Sequence, residues 1–495
     1  MRNNTVWNND VEMEQQKYNW KRYWYPRGSS IQLSDGGYLY KPDIAWSHLV
    51  NPALVTWEAL TDVPCLVLLG EPGIGKTREM GNFEAFMRNT VGAPTLWFDL
   101  KGYQTDFLLQ EELFQSSSFQ SWLVGTHQLH LFLDGLDEGL LTISVLASLL
   151  ARHLQKYPIS RLRFRIACRT ADWPNALEET LRQLWNEEKV AVYQLAHLRR
   201  EDVAEAAAAQ KLDVEHFLSE VDLKGAVPLA SKPLTLRFLL NVYRKSGTFP
   251  SNQETLYYEG LLSLCKEQNP YRQSAGFRGN LSSEQRLIVA SRIAAVTVFT
   301  NHPVVRTDRG VDKDDSESYD SASDIMLREL ESGREHIHEY EVIVDEKALE
   351  ETLNTGLFIS RGSERFGWAH RTYAEFLAAW YLVQHTMPLS QIMSLLVHPG
   401  ELEKRFVPQL YETAAWIATM RPDVFDQIMH VEPEVLLRSD VATAEESDRA
   451  ALVETLLHLQ DDARQVRLHH NLSSFYWKLD HPGLFSQLSP SIQDC

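Results

Sequence analysis

The chain has 495 residues, 44% of them hydrophobic and 23% charged, with 24 Gly and 20 Pro. That composition excludes collagen-like, mostly disordered and disulfide-stapled classes, and the length suits roughly three or four domains with their own cores. Lys plus Arg total 48 against 67 Asp plus Glu, and the net charge of −19 works against indiscriminate binding to phosphate backbones, so any nucleic-acid contact would have to be local.

The N-terminal segment MRNNTVWNNDVEMEQQ lacks the apolar stretch of a secretory signal. Residues 1–54 form a lead-in rich in Asn, Trp and Tyr, with SDGG at 34–37 as a turn and no sustained helical or strand period. Within it Lys17, Lys21, Arg22 and Arg27 interleave with Trp20, Tyr23, Trp24 and Tyr25. Such a pattern either stacks on bases and pairs with phosphates or packs its aromatics against the next domain.

Over residues 55–195 apolar runs alternate with helix-length segments: CLVLL at 65–69, TLWFDL at 95–100, LHLFLD at 129–134, FRIAC at 164–168 and VAVYQL at 190–195. Near-continuous apolar strands of this kind predict a parallel sheet covered by helices on both faces. The longest uncharged apolar run, Gly139 to Ala151, reads as a buried helix and is too short to span a membrane. The four cysteines, Cys65, Cys168, Cys265 and Cys495, contain no C-x-x-C pair, which fits a reducing cytoplasm.

After residue 195 the strand signal largely stops, and EDVAEAAAAQKL and LTLRFLLNVYRKSG predict a helical domain over 196–278, with a glycine at the end of the second helix. Residues 279–384 open on a strong helix at 281–300, started by Ser282 or Ser283, and carry an acidic, serine-rich surface insertion at 312–324. The segment 342–381 then reads as helix (VIVDEKALEETLNTG), strand (LFIS), turn, strand (FGWAH) and helix (RTYAEFLAAWYLV), a winged-helix pattern. Residues 385–495 are helical stretches bounded by Pro408, Pro422 and Pro433, like the opening of an α-helical repeat array.

The chemistry concentrates at three strand ends. Gly70-Glu71-Pro72-Gly73-Ile74-Gly75-Lys76-Thr77 follows the strand CLVLL and precedes a helix pattern, the context of a Walker A phosphate loop. Its glycines let backbone N–H groups converge on phosphates at a helix N-terminus, with Lys76 to neutralise β- and γ-phosphate charge and Thr77 to ligate Mg²⁺. LFLDGLDE at 131–138 places Asp134 where a strand-end acid holds Mg²⁺ through water, and Asp137 or Glu138 where either could orient or deprotonate the attacking water. Arg169 ends the FRIAC strand, where it either senses a γ-phosphate or makes a plain surface ion pair. Arg161, Arg163 and Arg165 alternate with apolar residues and are expected to decorate one strand face near its entry.

The string Asp134-Gly135-Leu136-Asp137-Glu138 after an apolar strand resembles the compound Walker B of NACHT-type STAND NTPases. PLASKPLTLRFLL at 228–240 and FGWAHRTYAEFLAAWYLV at 367–384 are similar to that family's helical-domain and winged-helix segments. The resemblance implies that Pro233, with Pro228 behind it, packs on the adenine and that His370 contacts the β-phosphate of bound ADP. It implies an α/β P-loop NTPase followed by helical, winged-helix and C-terminal α-helical units. Such a protein would be a slow ATPase that binds ATP or ADP with Mg²⁺, self-assembles on sensing a trigger and passes the signal to a separate effector, in bacteria as defence against phage. A constitutive P-loop ATPase and a nucleic-acid-loading helper ATPase of a mobile element are the competing readings. No membrane partner is expected.

Overall fold

The structure, a computed structural model, describes residues 18–40 apart from 19 and 30, 50–142 apart from 101, 102 and 104, 145–266 apart from 171, and 280–307, 324–360, 364–397, 405–440, 445–461 and 478–493. Its principal sheet has strands β1 (Trp24–Pro26), β2 (Cys65–Gly70), β3 (Thr95–Asp99), β4 (Leu129–Asp134), β5 (Leu162–Arg169) and β6 (Val190–Leu195), in the order β1-β6-β2-β5-β4-β3. All pairings are parallel except β1 with β6. Every residue of β2 and β4 is buried, which is why these strands read as unbroken apolar runs. One face buries Val67, Leu131 and Ile166 in a core with Trp122 and Trp185. The other buries Leu66, Leu68 and Phe132 against the helix Lys76–Phe86. Phe132 sits between Phe83 and Trp97, with ring centroids 5.6 and 6.2 Å away.

The five apolar runs become strands at almost the predicted positions, and three expectations are corrected. The lead-in does contain a strand: Trp24 and Tyr25 are paired with Leu195 and Gln194, and Tyr23 and Trp24 are buried, so these aromatics pack and are not offered to bases. Lys17 lies outside the described residues. The run Gly139 to Ala151 belongs to two helices, Leu136–Thr142 and Leu146–Leu154, with residues 143 and 144 outside the described set. Arg161 ends a short 3₁₀ turn and donates to the carbonyls of Trp122 and His127. Arg165 is fully buried, donating to the Thr61 carbonyl at 2.8 Å and standing over the Phe83 ring. A strand covered on both faces leaves such a residue no solvated side, so its guanidinium is satisfied by backbone oxygens.

The chain leaves β6 through 196–199 into helices Arg200–Ala209, Val214–Leu223, Pro233–Ser246 and Gln253–Cys265. Pro233 occupies the first turn, where its missing N–H costs nothing, and Gly247 ends the same helix at φ +72°. A third unit starts with the helix Ser283–Phe299, capped by Ser282 and Gln285 in a reciprocal box. It carries strands β7 (Val304–Arg306), β8 (Ile325–Met326), β9 (Arg334–Ile337), β10 (Tyr340–Ile343), β11 (Phe358–Ser360) and β12 (Arg365–Trp368). Of these, β11, β12, β7 and β8 form one sheet, and β9 pairs with β10. The segment VIVDEKALEETL is therefore not one helix: Val342 and Ile343 belong to β10, and the helix Glu346–Leu353 begins only after Asp345 caps it. Apart from Asp324, which pairs with Arg365, the acidic insertion lies outside the described residues.

The helix Arg371–Gln384 packs on Ser283–Phe299 and on Tyr411–Met420, the first long helix of the C-terminal region. The helical unit, the third unit and the C-terminal helices share one continuous apolar core, whereas the principal sheet has separate cores on its two faces. No helix among the described residues is long and apolar enough to cross a membrane.

Candidate functional site

Strand register gathers the strand-end residues at the C-terminal edge of the principal sheet. Gly70 on β2 is paired with Arg169 on β5, and Asp134 at the end of β4 is paired with Asp99 on β3. Asp134 is 3% exposed. Gly135 follows at φ +71°, turning the chain directly into Leu136–Thr142 and setting Asp137 back toward the sheet. Asp137 is also 3% exposed. It accepts the Arg169 backbone N–H at 3.1 Å and faces the Arg169 guanidinium at 2.9 Å. Arg169, itself 8% exposed, is thus in a buried pair and not in the surface ion pair the sequence left open. The Glu138 side chain lies outside the described residues.

The loop 70–77 has the shape its glycines require. Gly73 and Gly75 stand at φ +72° and +102°, where side chains other than glycine are strained. A Cβ on Gly70 would meet Ile74 Cγ2 at 2.9 Å, and one on Gly73 would meet Leu234 Cδ2 at 2.8 Å. Lys76 is the first residue of its helix, with Gly75 as the left-handed N-cap, and no side chain caps that end. Lys76 Nζ donates to the carbonyls of Gly70 at 2.6 Å and Glu71 at 3.0 Å, folding over the loop. Thr77 is exposed beside it, and Pro72 is half-buried. The first N–H groups of a helix have no intrahelical acceptor, so this end presents donors and a positive dipole to an anion. The donor set, an ammonium, a hydroxyl, loop amides and the strand-end acid Asp134, suits a phosphate chain with a hard divalent cation.

Groups from the other units converge on this loop. Leu234 touches Gly73, which places Pro233 at the loop's rim. Lys232, immediately before Pro233 and 3% exposed, donates to Glu71 Oε2 at 2.6 Å and to the Gly356 carbonyl at 3.3 Å, and stands 5.5 Å over the Tyr373 ring. Tyr373 donates to the Pro228 carbonyl at 2.7 Å. One buried ammonium therefore joins the phosphate loop, the helical unit and the third unit. His370 caps the helix Arg371–Gln384, its Nδ1 accepting the Thr372 N–H at 3.2 Å, which fixes the neutral tautomer with Nε2 as donor. Burial, reinforced by His197 and Lys232, pulls the His370 imidazole down to about 3. His197 is likewise pulled to about 3 by burial, then by Lys232 and Arg22.

Of the sequence-derived residues, Gly70 to Thr77, Asp134, Asp137 and Arg169 meet at one sheet edge, with Pro233 beside them. His370 lies on the third unit with its ring 5.6 Å from that of Tyr373, the ring over which Lys232 stands. Sequence reasoning missed His197, Lys232 and Tyr373, and named Arg22 only within the basic, aromatic lead-in, not beside the phosphate loop. The one available signal was the position of Lys232 next to Pro233.

No protein-family model matches the chain, and no curated protein matches it. Among solved structures, the Thermotoga maritima RuvB Holliday junction branch migration motor is similar over 48% of this chain and 71% of its own, at 11% identity and a TM-score of 0.28. A variant of that motor covers the same shares at 12% identity and a TM-score of 0.27. Similarity this loose carries no weight for fold or function.

Proposed function

We propose that the chain is an ATP/ADP-dependent switch of the NACHT-type STAND class, whose nucleotide decides how the sheet unit sits against the other units. The observation that carries this reading is Lys232, which ties the phosphate-loop residue Glu71 to the backbone of the third unit. A constitutive ATPase needs only the loop and the strand-end acids and gains nothing from such a junction.

In this reading the loop amides and Lys76 hold the phosphates, while Thr77 and Asp134 hold Mg²⁺. The bound Mg²⁺ would neutralise charge on the β- and γ-phosphates. Pro233 borders the adenine, and His370, a neutral donor through Nε2, reaches the β-phosphate in the ADP form. Arg169 is positioned by Asp137 for the γ-phosphate edge, and Glu138 is the acid left to orient water. Because the helical and third units share a core, they would move together relative to the sheet, to which the chain connects them through 196–199. Driving such a switch from 1:99 to 99:1 takes roughly 5.5 kcal/mol of differential affinity, within reach of a few charge-assisted contacts. Self-assembly and a role in anti-phage defence follow from the motif resemblance, a separate effector would supply the output, and the widely spaced cysteines fit a reducing cytoplasm.

The test is mass spectrometry of nucleotide released from purified protein, with particle size measured in ADP and in ATP. Co-purifying ADP and a size increase confined to ATP are expected. Rapid untriggered turnover without bound ADP would favour the constitutive ATPase instead.

A further inference from the structure

Arg22 belongs to the basic and aromatic lead-in, far from the phosphate loop in sequence, yet it is 3% exposed and bonded to the loop. Its Nη1 donates to the Ile74 carbonyl at 3.0 Å and its Nη2 to the Ala196 carbonyl at 2.7 Å, and Nη1 sits 3.2 Å from where a Cβ on Gly75 would be. In a trans peptide the carbonyl and the following N–H point in opposite directions. Holding the Ile74 carbonyl toward Arg22 therefore turns the Gly75 N–H away from Arg22. The lead-in is itself fixed here: β1 adds to the sheet two residues later, Arg78 donates to the Tyr18 carbonyl, and Tyr18 stacks on Trp20 at 4.7 Å. Burial works against the Arg22 charge and pulls its pKa below the usual value, an effect that Glu79 and Asp202 offset only in part.

We infer that Arg22 is a positioning residue for nucleotide binding: from the N-terminal segment it presets the Ile74–Gly75 peptide so that the loop amide faces a phosphate, and it ties that peptide to the chain at Ala196. The inference rests on the nucleotide-binding reading of the loop. It adds that the lead-in sets phosphate affinity, a property no motif in the chain assigns to it. Lysine keeps the charge but lacks the planar fork whose separate nitrogens, Nη1 and Nη2, hold the two carbonyls, so it restores part of the effect.

The experiment is calorimetric titration of full-length wild type, Arg22→Lys and Arg22→Met with ADP, alongside nucleotide-free melting and amide exchange of peptides spanning 70–78. Losing a preset charge-assisted contact should raise the ADP Kd by about 10-fold or more in Arg22→Met, less in Arg22→Lys. Exchange in 70–78 should speed up in both variants, with the melting of Arg22→Lys close to wild type. Should Arg22→Met fold poorly, Arg22→Lys decides: wild-type ADP affinity and wild-type exchange in that protein would overturn the inference. If the wild type gives no heat with ADP, the nucleotide-binding reading falls and this inference with it. If the wild type binds and both variants bind equally well, only the role of Arg22 falls.

Discussion

Lys232→Met removes an ammonium shared by the phosphate loop, the helical unit and the third unit. In the intact protein its side chain is 3% exposed and that of Glu71 12%, with 2.6 Å between the charged atoms. Breaking a buried pair from one side costs about 3–5 kcal/mol, because the surviving charge is left without its partner in a poorly hydrated place. Glu71→Gln strands the ammonium in the same way, though the Gly356 carbonyl and the Tyr373 ring still soften the loss. Combining both changes strands neither charge, so the double variant should be less destabilised than the two singles added together. The expected coupling is about 1–3 kcal/mol. It is read from denaturant midpoints of wild type, both singles and the double, all on the same transition in nucleotide-free protein. ADP dissociation should also quicken in each single variant, since the latch holds the units around the site. Effects that add to within about 0.5 kcal/mol would show that the pair holds nothing together and would refute the argument.

Lys76→Ala should abolish nucleotide retention, and unchanged affinity in a titration would remove the phosphate-loop assignment. Asp137→Ala takes from the buried Arg169 the carboxylate 2.9 Å from its guanidinium and should lower stability by about 3–5 kcal/mol, whereas Glu138→Gln should slow ATP turnover with little change in melting. Equal melting of those two variants would contradict the division of labour between them. His370, His197 and His130 are all held neutral by burial, their pKa values lowered to about 3, 3 and 4. An unfolded histidine binds its proton near pH 6.5, so between about pH 6.5 and 4 the unfolded chain takes up more protons and stability falls as pH falls. Denaturation midpoints at pH 7 and pH 5 should show this loss, and His197→Asn should make the slope shallower; an unchanged slope would mean that His197 is solvated.

The five main strands and the phosphate loop were legible because their causes are local. Burial on both faces writes itself as CLVLL or LHLFLD, and a left-handed turn before a helix demands glycine at 73 and 75. Strand β1 was not legible, since Trp24-Tyr25-Pro26 is too short for a period and is held by the edge of β6. Val342 and Ile343 looked helical because an apolar pair next to an amphipathic helix has no distinguishing pattern until Asp345 is seen to cap. Lys232 with Glu71, and Arg22 with Ile74, join positions 161 and 52 residues apart. Pairings of that span leave no mark on neighbouring residues: a lone Lys232 reads as surface charge, and Arg22 reads as one of several lead-in cations. The site's inter-unit half was therefore hidden, while its phosphate-binding half was plain.

The most direct test of the switch is the distance between the sheet unit and the third unit in the two nucleotide states. Val124 and Ile343 are exposed at 91% and 55% and lie on those two units. Spin labels at Val124→Cys and Ile343→Cys, with Cys495→Ser removing a competing thiol, would report it in full-length protein. The account predicts one narrow distance distribution with ADP and a shifted or broadened one with a non-hydrolysable ATP analogue and Mg²⁺. Superimposable distributions in the two states, with both nucleotides shown to be bound, would contradict it.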